Sequence, residues 1–375
     1  MNLLVTGGAG FIGTHLVRRL LREGCSVAIL DNFSSQIHGA DQELPSDLAE
    51  HVELYRADVR DTDTLSRALA NRDVVVHLAA ETGTGQSMYE ILRYQDVNIG
   101  GTAAILEVLV NRPSLRLKKM IVASSRAVYG EGKYRCIEHG IVYPGARKLE
   151  CLRAGQFELL CSTCKSECTP EATSEDSPLQ PLSFYGLTKK VQEEMVLMLA
   201  PVRGLSVCRL RYQNVYGPGQ SLRNPYTGIL AIFSNLARSN SPIQIFEDGQ
   251  ESRDFIFVED AVEATWRFIA GDSYFAESFN VGTGQRITVL EVAKGIVQHF
   301  RTGAEISITR AFRQGDIRHN FADLAKVGAA TGFAPRFSFC EGLAQFLDWA
   351  AAQDGLPAGY ESSLREMSER GLLHG

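Results

Sequence analysis

The sequence predicts an α/β protein, a doubly wound parallel sheet joined to a smaller α/β lobe. Three observations carry that expectation. A short apolar strand at residues 2–6 runs into a glycine-rich turn and then a helix-spaced segment. Strand-like and helix-like patterns then alternate through residue 211, as βα units around a parallel sheet require. At 375 residues the chain is also longer than one ordinary domain and leaves room for a second lobe.

Composition excludes several classes of function. A net charge of −6 argues against a nucleic-acid partner held through phosphates. No apolar run approaches membrane-spanning length, so no membrane partner is expected. The chain opens directly on strand-like residues without a basic-then-apolar leader, and a cytoplasmic protein is expected. Eight cysteines in a chain this long do not describe a secreted disulfide framework, yet five of them fall between Cys136 and Cys168.

After the first strand comes Gly7-Gly8-Ala9-Gly10-Phe11-Ile12-Gly13, then His15–Leu21 at helical spacing. Glycines at 7, 10 and 13 permit a tight turn, close approach of backbone to a pyrophosphate, and close helix–strand packing; the helix N-terminus adds its dipole. A second strand, Ser26–Leu30, ends in Asp31-Asn32, where an acid would meet the adenosine ribose hydroxyls. Asp31 would repel a 2′-phosphate, so this Rossmann-type unit is expected to hold NAD rather than NADP. Further strands are expected at Val52–Tyr55, Val74–Ala80, Lys119–Ala123 and Ser206–Arg211, with an apolar helix from Ile99 through Val110. Ligands of such sheets sit at the carboxyl ends of the strands.

Tyr185 and Lys189 stand four apart in a segment with a helical apolar repeat, so their side chains share a face. A fixed ammonium beside a phenol favours the phenolate, lowering a pKa that starts near ~10 and making Tyr185 a usable proton acceptor. Taken alone, the pair reads more simply as an aromatic at the core edge beside a solvated lysine.

Together the motifs resemble the extended short-chain dehydrogenase/reductases, in the nucleotide-sugar epimerase and dehydratase branch. They are Gly7-x-x-Gly10-x-x-Gly13, Asp31-Asn32, Asp58-Val59, His77-Leu78-Ala79-Ala80, Asn98-x-x-Gly101-Thr102, Ser125 ahead of Val128-Tyr129-Gly130, and Tyr185-x-x-x-Lys189. The match continues through Arg211–Pro218, Arg253-Asp254-Phe255-Ile256-x-Val258 and Arg313-x-Gly315-Asp316. The resemblance implies that Gly7, Gly10, Phe11, Ile12, Gly13, Asp31, Asn32, Asp58, Val59, Leu78, Ala79, Ala80 and Asn98 hold the cofactor. It makes Tyr185 the acid/base, Lys189 the holder of the nicotinamide ribose, and Ser125 the hydrogen-bond partner of the sugar O4. Arg126, Asn214, Arg253, Arg313 and Asp316 would bind the rest of a dTDP- or UDP-sugar, with arginines orienting its diphosphate.

Which reaction follows depends on the groups beside Ser125. Sugar 4,6-dehydratases of this branch carry an acidic pair at that strand end and the decarboxylases keep a Glu, whereas this chain has Ser125-Arg126-Ala127-Val128-Tyr129-Gly130. The 3,5-epimerising reductases use a Cys there that is absent here. The resemblance therefore implies 4-epimerisation through a transient 4-keto sugar. The strings at 124–132, 210–222, 224–230 and 245–249 resemble bacterial dTDP-L-rhamnose 4-epimerases, which make dTDP-6-deoxy-L-talose. A UDP-hexose 4-epimerase, a nucleotide-4-keto-sugar reductase and a non-catalytic NAD-binding regulator remain as alternatives, though a regulator has no need of both Tyr185 and Lys189.

Between Tyr129 and Tyr185 the chain is more than twice as long as in shorter family members. The extra segment carries Cys136-x-x-His139 and Cys161-x-x-Cys164, a ligand set that suits a structural tetrahedral zinc; the alternative is small buried cysteines in a loop. Its place in the sequence suggests a lid over the sugar pocket. The expected division is a cofactor lobe from residues 1–212 and 254–278, with the insertion at 132–180. A sugar-nucleotide lobe would take 213–253 and 279–375, with Phe279–Gly282 at the start of its second part. Leu364, Met367 and Leu372 suggest an amphipathic helix near the end. Helices 99–112 and 185–200 carry more apolar surface than one contact needs, and the resemblance implies that they pair across a homodimer.

Overall fold

The computed structural model describes residues 1–39, 43–224, 226, 228–271, 276–353 and 359–375. Pro225 and Thr227, within the 224–230 string, lie outside the described residues. Seven strands form the central sheet: β1 (Asn2–Thr6), β2 (Ser26–Asp31), β3 (Glu53–Arg56), β4 (Val74–His77), β5 (Lys119–Ser125), β6 (Ser206–Tyr212) and β7 (Glu277–Val281). Their order is β7-β6-β5-β4-β1-β2-β3, every neighbour is parallel, and the order reverses between β1 and β4. That reversal opens a crevice at the carboxyl ends of the strands.

Strands buried on both faces read as continuous apolar runs, and Val74–Val76 and Met120–Val122 are fully enclosed or nearly so. One face is covered by α1 (Phe11–Arg22) and α5 (Val258–Ala270), around a core that includes Leu16, Leu20, Ile29 and Phe268. The other is covered by α2 (Thr62–Ala68), α3 (Gly101–Asn111) and α4 (Phe184–Arg203), through Leu65, Ile105, Val196 and Leu199. A separate core builds the smaller lobe from helices Ile229–Arg238, Val289–Phe300 and Phe339–Ala351. Among the described residues no helix is long and apolar enough to cross a membrane.

Two boundaries differ from expectation. Phe279–Val281 does not open the smaller lobe: it belongs to β7, whose Glu277–Val281 pairs with Cys208–Tyr212 at the sheet edge. Alternate polar residues, Ser278 and Asn280, disguise this strand, but both are buried and hydrogen-bonded. Strand β4 ends at His77, and Leu78–Ala80 leave the sheet to line the crevice. Near the C-terminus, helix Gly359–Glu369 buries Met367, and Leu373–His374 then pairs antiparallel with Phe312–Arg313.

The insertion folds as a three-stranded antiparallel sheet of Tyr134–Cys136, Gly140–Val142 and Thr169–Pro170, with a short helix at Leu149–Arg153. Its two ends meet: Glu171 N–H donates to the Lys133 carbonyl at 2.9 Å.

Candidate active site

A cleft of about 840 Å³ runs along the carboxyl ends of the strands. At its first turn Gly7 has φ +70, and a Cβ there would sit 2.6 Å from Ala79 N, so neither the conformation nor the space admits a side chain. This is the close approach that lets backbone N–H groups face a pyrophosphate. Gly10, Phe11, Ile12, Gly13, Asp31, Asn32, Asp58, Val59, Leu78, Ala79 and Ala80 line the same cleft. The Asp31 carboxylate is fixed at the end of β2 by accepting from Ala9 N–H (3.0 Å) and Phe33 N–H (2.9 Å). Asp58 is gripped by the Arg60 guanidinium at 2.7 and 3.0 Å, which holds its carboxyl below the usual range. The volume, the glycine cradle and the acid at β2 all fit a dinucleotide.

Asn98 does not line the cleft. Its Oδ1 accepts from Glu81 N–H at 2.8 Å, and its Nδ2 donates to the Glu81 carbonyl (3.1 Å) and to Thr188 (3.0 Å). It ties the loop after β4 to α4 from behind the wall, a positioning role set by residues distant in sequence.

Helix α4 begins at the Ser183 N-cap, whose side chain accepts from Gly186 N–H at 3.1 Å. A Cβ at Gly186 would lie 2.5 Å from the Ala127 carbonyl oxygen, so this glycine lets the helix start press against the end of β5. Tyr185 and Ser125 thereby line the same cleft, close enough for the serine to lower the tyrosine's proton affinity. The Tyr94 ring meets Tyr185 edge-on, with centroids 6.4 Å apart. Deeper along α4, the buried Glu193 takes the Arg211 guanidinium through two bonds, of 3.0 and 2.8 Å, and so locks the helix onto β6.

The electrostatics differ from the expected lowering of the tyrosine by its lysine. Burial pushes the Tyr185 pKa up; the Ser125 hydrogen bond and the Arg126 charge oppose this without overcoming it. Lys189 donates to the Ala123 carbonyl at 2.8 Å, lies 5.9 Å from the Tyr185 ring centroid, and is itself brought down to about 7 by burial. Both members of the pair are desolvated, and desolvation disfavours both charged forms.

Beside Ser125 a second cavity of about 180 Å³ continues from the cleft, sharing Arg126 and Asn214 and adding Arg253, Arg313 and Asp316. Arg126 donates to Asn214 Oδ1 at 2.6 Å, and burial followed by the neighbouring Arg253 charge lowers its pKa to about 9. Arg253 is held by the carbonyls of Ser252, Arg318 and Ile317 at 2.9, 3.0 and 2.7 Å. Arg313 pairs with Asp316 at 2.8 Å. The Arg126 and Arg253 charges raise each other's cost in this half-buried cavity, and an anion between them would relieve it, so the end of the site away from Gly7 can accept one.

The insertion is not a lid. Among the described residues, none from 132 to 180 lines either cavity. Its polar groups are spent behind the wall instead. Arg147 donates to Glu247 and to the Asp316 carbonyl, each at 2.8 Å; Glu158 accepts from Arg318 at 2.8 Å and lies 3.2 Å from His319. Glu131 accepts from Arg318 N–H at 2.7 Å. Glu131 sits inside the 124–132 string, whereas Arg147 and Glu158 carry no sequence signal, because their partners lie far along the chain. Tyr226, which lines both cavities, sits inside the 224–230 string.

Residues 3–143 and 149–282 match the NAD dependent epimerase/dehydratase family. The chain is 38% identical over 355 residues to a dTDP-L-rhamnose 4-epimerase of Burkholderia thailandensis, covering 94% of this chain and 95% of that one. A Thermotoga maritima UDP-glucose 4-epimerase with UDP-glucose superposes with a TM-score of 0.76 at 29% identity, covering 94% and 99% of the two chains. A Bacillus cereus UDP-glucuronic acid 4-epimerase with UDP-glucuronic acid and NAD gives a TM-score of 0.76 at 26% identity and the same coverage. The glycine cradle, the Tyr185–Ser125 contact and these matches over nearly the whole chain agree, and the protein belongs to the NAD-dependent epimerase/dehydratase family.

Proposed function

We propose that this protein is an NAD-dependent nucleotide-sugar 4-epimerase that converts dTDP-L-rhamnose to dTDP-6-deoxy-L-talose. The observation that carries the 4-epimerase reading is the composition of the site around Ser125. Tyr185 and Ser125 meet there beside Arg126, while the nearby carboxylates, Glu81 and Asp316, are paired to Arg93 and Arg313 at 2.8 Å each. A proton acceptor is therefore present without the acidic pair that elimination needs. The sugar is supported by the 38% identity to the Burkholderia enzyme and by the strings at 124–132 and 210–222.

The residues divide the work. Arg253, Arg313 and Arg126 hold the diphosphate, fixing the sugar without touching its reacting carbon. Ser125 orients O4; Tyr185 removes its proton and later returns it. Bound NAD would take the C4 hydride and give it back to the opposite face, so no net oxidation results. Lys189 holds the ribose and, when protonated, stabilises the Tyr185 phenolate. The exposed apolar stripe of Leu187, Met198 (75% exposed) and Val202 (72%) on α4, beside Val110 on α3, supports a homodimer through these helices.

The test is incubation with dTDP-L-rhamnose and, separately, UDP-glucose, followed by NMR of the sugar. Inversion at C4 of the first with only catalytic NAD is the expected result. Preference for UDP-glucose would move the substrate to the UDP-hexoses, as the Thermotoga similarity would favour. Stoichiometric NADH consumption would make the protein a reductase, and no C4 chemistry on either sugar would defeat the proposal.

A further inference from the structure

The insertion ends in two tight hairpin turns of the same design. In the first, Cys136 pairs with Gly140 across the strands, and the turn places His139 three residues after Cys136. In the second, Leu160 bridges Glu167, Cys161 N–H donates to the Ser166 carbonyl (2.8 Å), and Lys165 N–H donates to the Cys161 carbonyl (3.0 Å). Cys164 there stands three residues after Cys161. In each turn the residue after the second of the pair is left-handed, Gly140 at φ +69 and Lys165 at φ +63. That backbone swings both side chains of a pair to one side, and the two tips face each other.

The four side chains stand at the separations of a metal tetrahedron. With Zn–S near 2.3 Å and Zn–N near 2.0 Å, tetrahedral edges are about 3.8 Å between sulfurs and about 3.5 Å between sulfur and nitrogen. Cys136 Sγ lies 3.5 Å from Cys164 Sγ and 3.5 Å from His139 Nδ1, and Cys161 Sγ lies 3.6 Å from His139 Nδ1. All four ligand atoms lie within 4.8 Å of one another. A disulfide would need about 2.05 Å. Cysteines serving only as small apolar residues would have no reason to gather around the polar edge of an otherwise exposed imidazole.

We propose that Cys136, His139, Cys161 and Cys164 bind one structural zinc ion. Three thiolates and an imidazole are a soft donor set that selects zinc over magnesium or calcium, and four protein ligands close the site to catalysis. The need is plain from the local core, which consists of Tyr134, Leu159, Cys168 and the two buried ligands Cys136 and Cys161, with Val142 and Cys164 beside them. So small a core does not hold an excursion of this length without a cross-link. From Cys161 the chain runs back through Leu159 to Glu158, which meets Arg318 and His319, and to Phe157, which packs with Phe312. The metal therefore anchors the brace behind the anion-binding wall. The site itself stands independently of the sugar and of the reaction.

The full-length protein, purified without chelator or metal-affinity tag, is assayed by inductively coupled plasma mass spectrometry. About one zinc per chain is expected, falling below roughly a tenth in Cys161→Ser and Cys164→Ser, with Cys151→Ser as the retaining control from outside the cluster. If the serine variants fail to fold, cobalt exchanged into the wild-type protein should give the intense visible bands of a tetrahedral thiolate site. Wild-type protein with neither zinc nor such bands overturns the proposal. So does zinc retained in Cys161→Ser, or a Cys136–Cys164 disulfide in the protein as purified.

Discussion

Around Tyr185 two opposing influences set the proton affinity, and only one of them is local in sequence. The four-residue spacing to Lys189 brings an ammonium to the same helix face, but the enclosure that raises both groups' cost of ionisation is assembled from β5, the 126–129 turn and the loop after β4. The spacing made the pair legible; the direction of the shift was not. Replacing Tyr185 by Phe should lower kcat by about a thousandfold while a fluorescence titration shows NAD binding retained. His77 makes a second residue-scale case. Enclosed between Thr6 and Thr102, at 2.8 and 3.1 Å, it has its pKa pushed down to about 3 by burial. Between that value and the 6.5 of the unfolded chain, the unfolded state binds a proton that the native state refuses, so stability falls as pH drops through this window. The slope is at most about 1.4 kcal/mol per pH unit for one group. His15 and His319, also lowered by burial, act in the same direction. Urea midpoints measured between pH 7.5 and about 5 should thus fall in the wild type and fall less in His77→Gln.

At the scale of elements, period and punctuation located most of what exists. Helix α4 announced itself through its apolar repeat, and β1 and β2 through continuous apolar runs, because those signals are contained within the element. Strand β7 was missed as part of the sheet since its membership depends on pairing with β6, some seventy residues earlier, and its polar positions are satisfied only by the completed fold. The insertion shows the same limit. Its Cys and His spacing is legible in the sequence, but its contact with Arg318 and His319 is not, and without that contact a brace reads like a lid. A brace makes a distinct kinetic prediction. Cys161→Ser should raise KM for the nucleotide sugar about tenfold, a loss of about 1.4 kcal/mol, with NAD affinity unchanged by isothermal titration. A lid that excludes water would instead lower kcat and leak the keto sugar.

For the whole molecule, the parallel sheet and its reversal point put the glycine cradle on one side of Ser125 and Arg253 and Arg313 on the other, so a nucleotide sugar bound as proposed would have its reacting carbon between two independently built walls. The same α4 that presents Tyr185 at its start exposes Met198 and Val202 near its end. Introducing Glu at both positions should give a monomer by analytical ultracentrifugation, with NAD still bound, because the cleft lies at the opposite end of the helix. One further property lies in the hydrogen bond between Lys133 and Glu171. Since the excursion leaves and re-enters at adjoining points of the backbone, it is a cassette: the host backbone can close across Lys133 and Glu171 without it, at the cost of the partners it gives Arg318 and His319. A lineage could gain or discard such a unit in one genetic step, and an engineer could graft it, its Cys and His cluster included, onto a shorter relative without redesigning the sheet beneath.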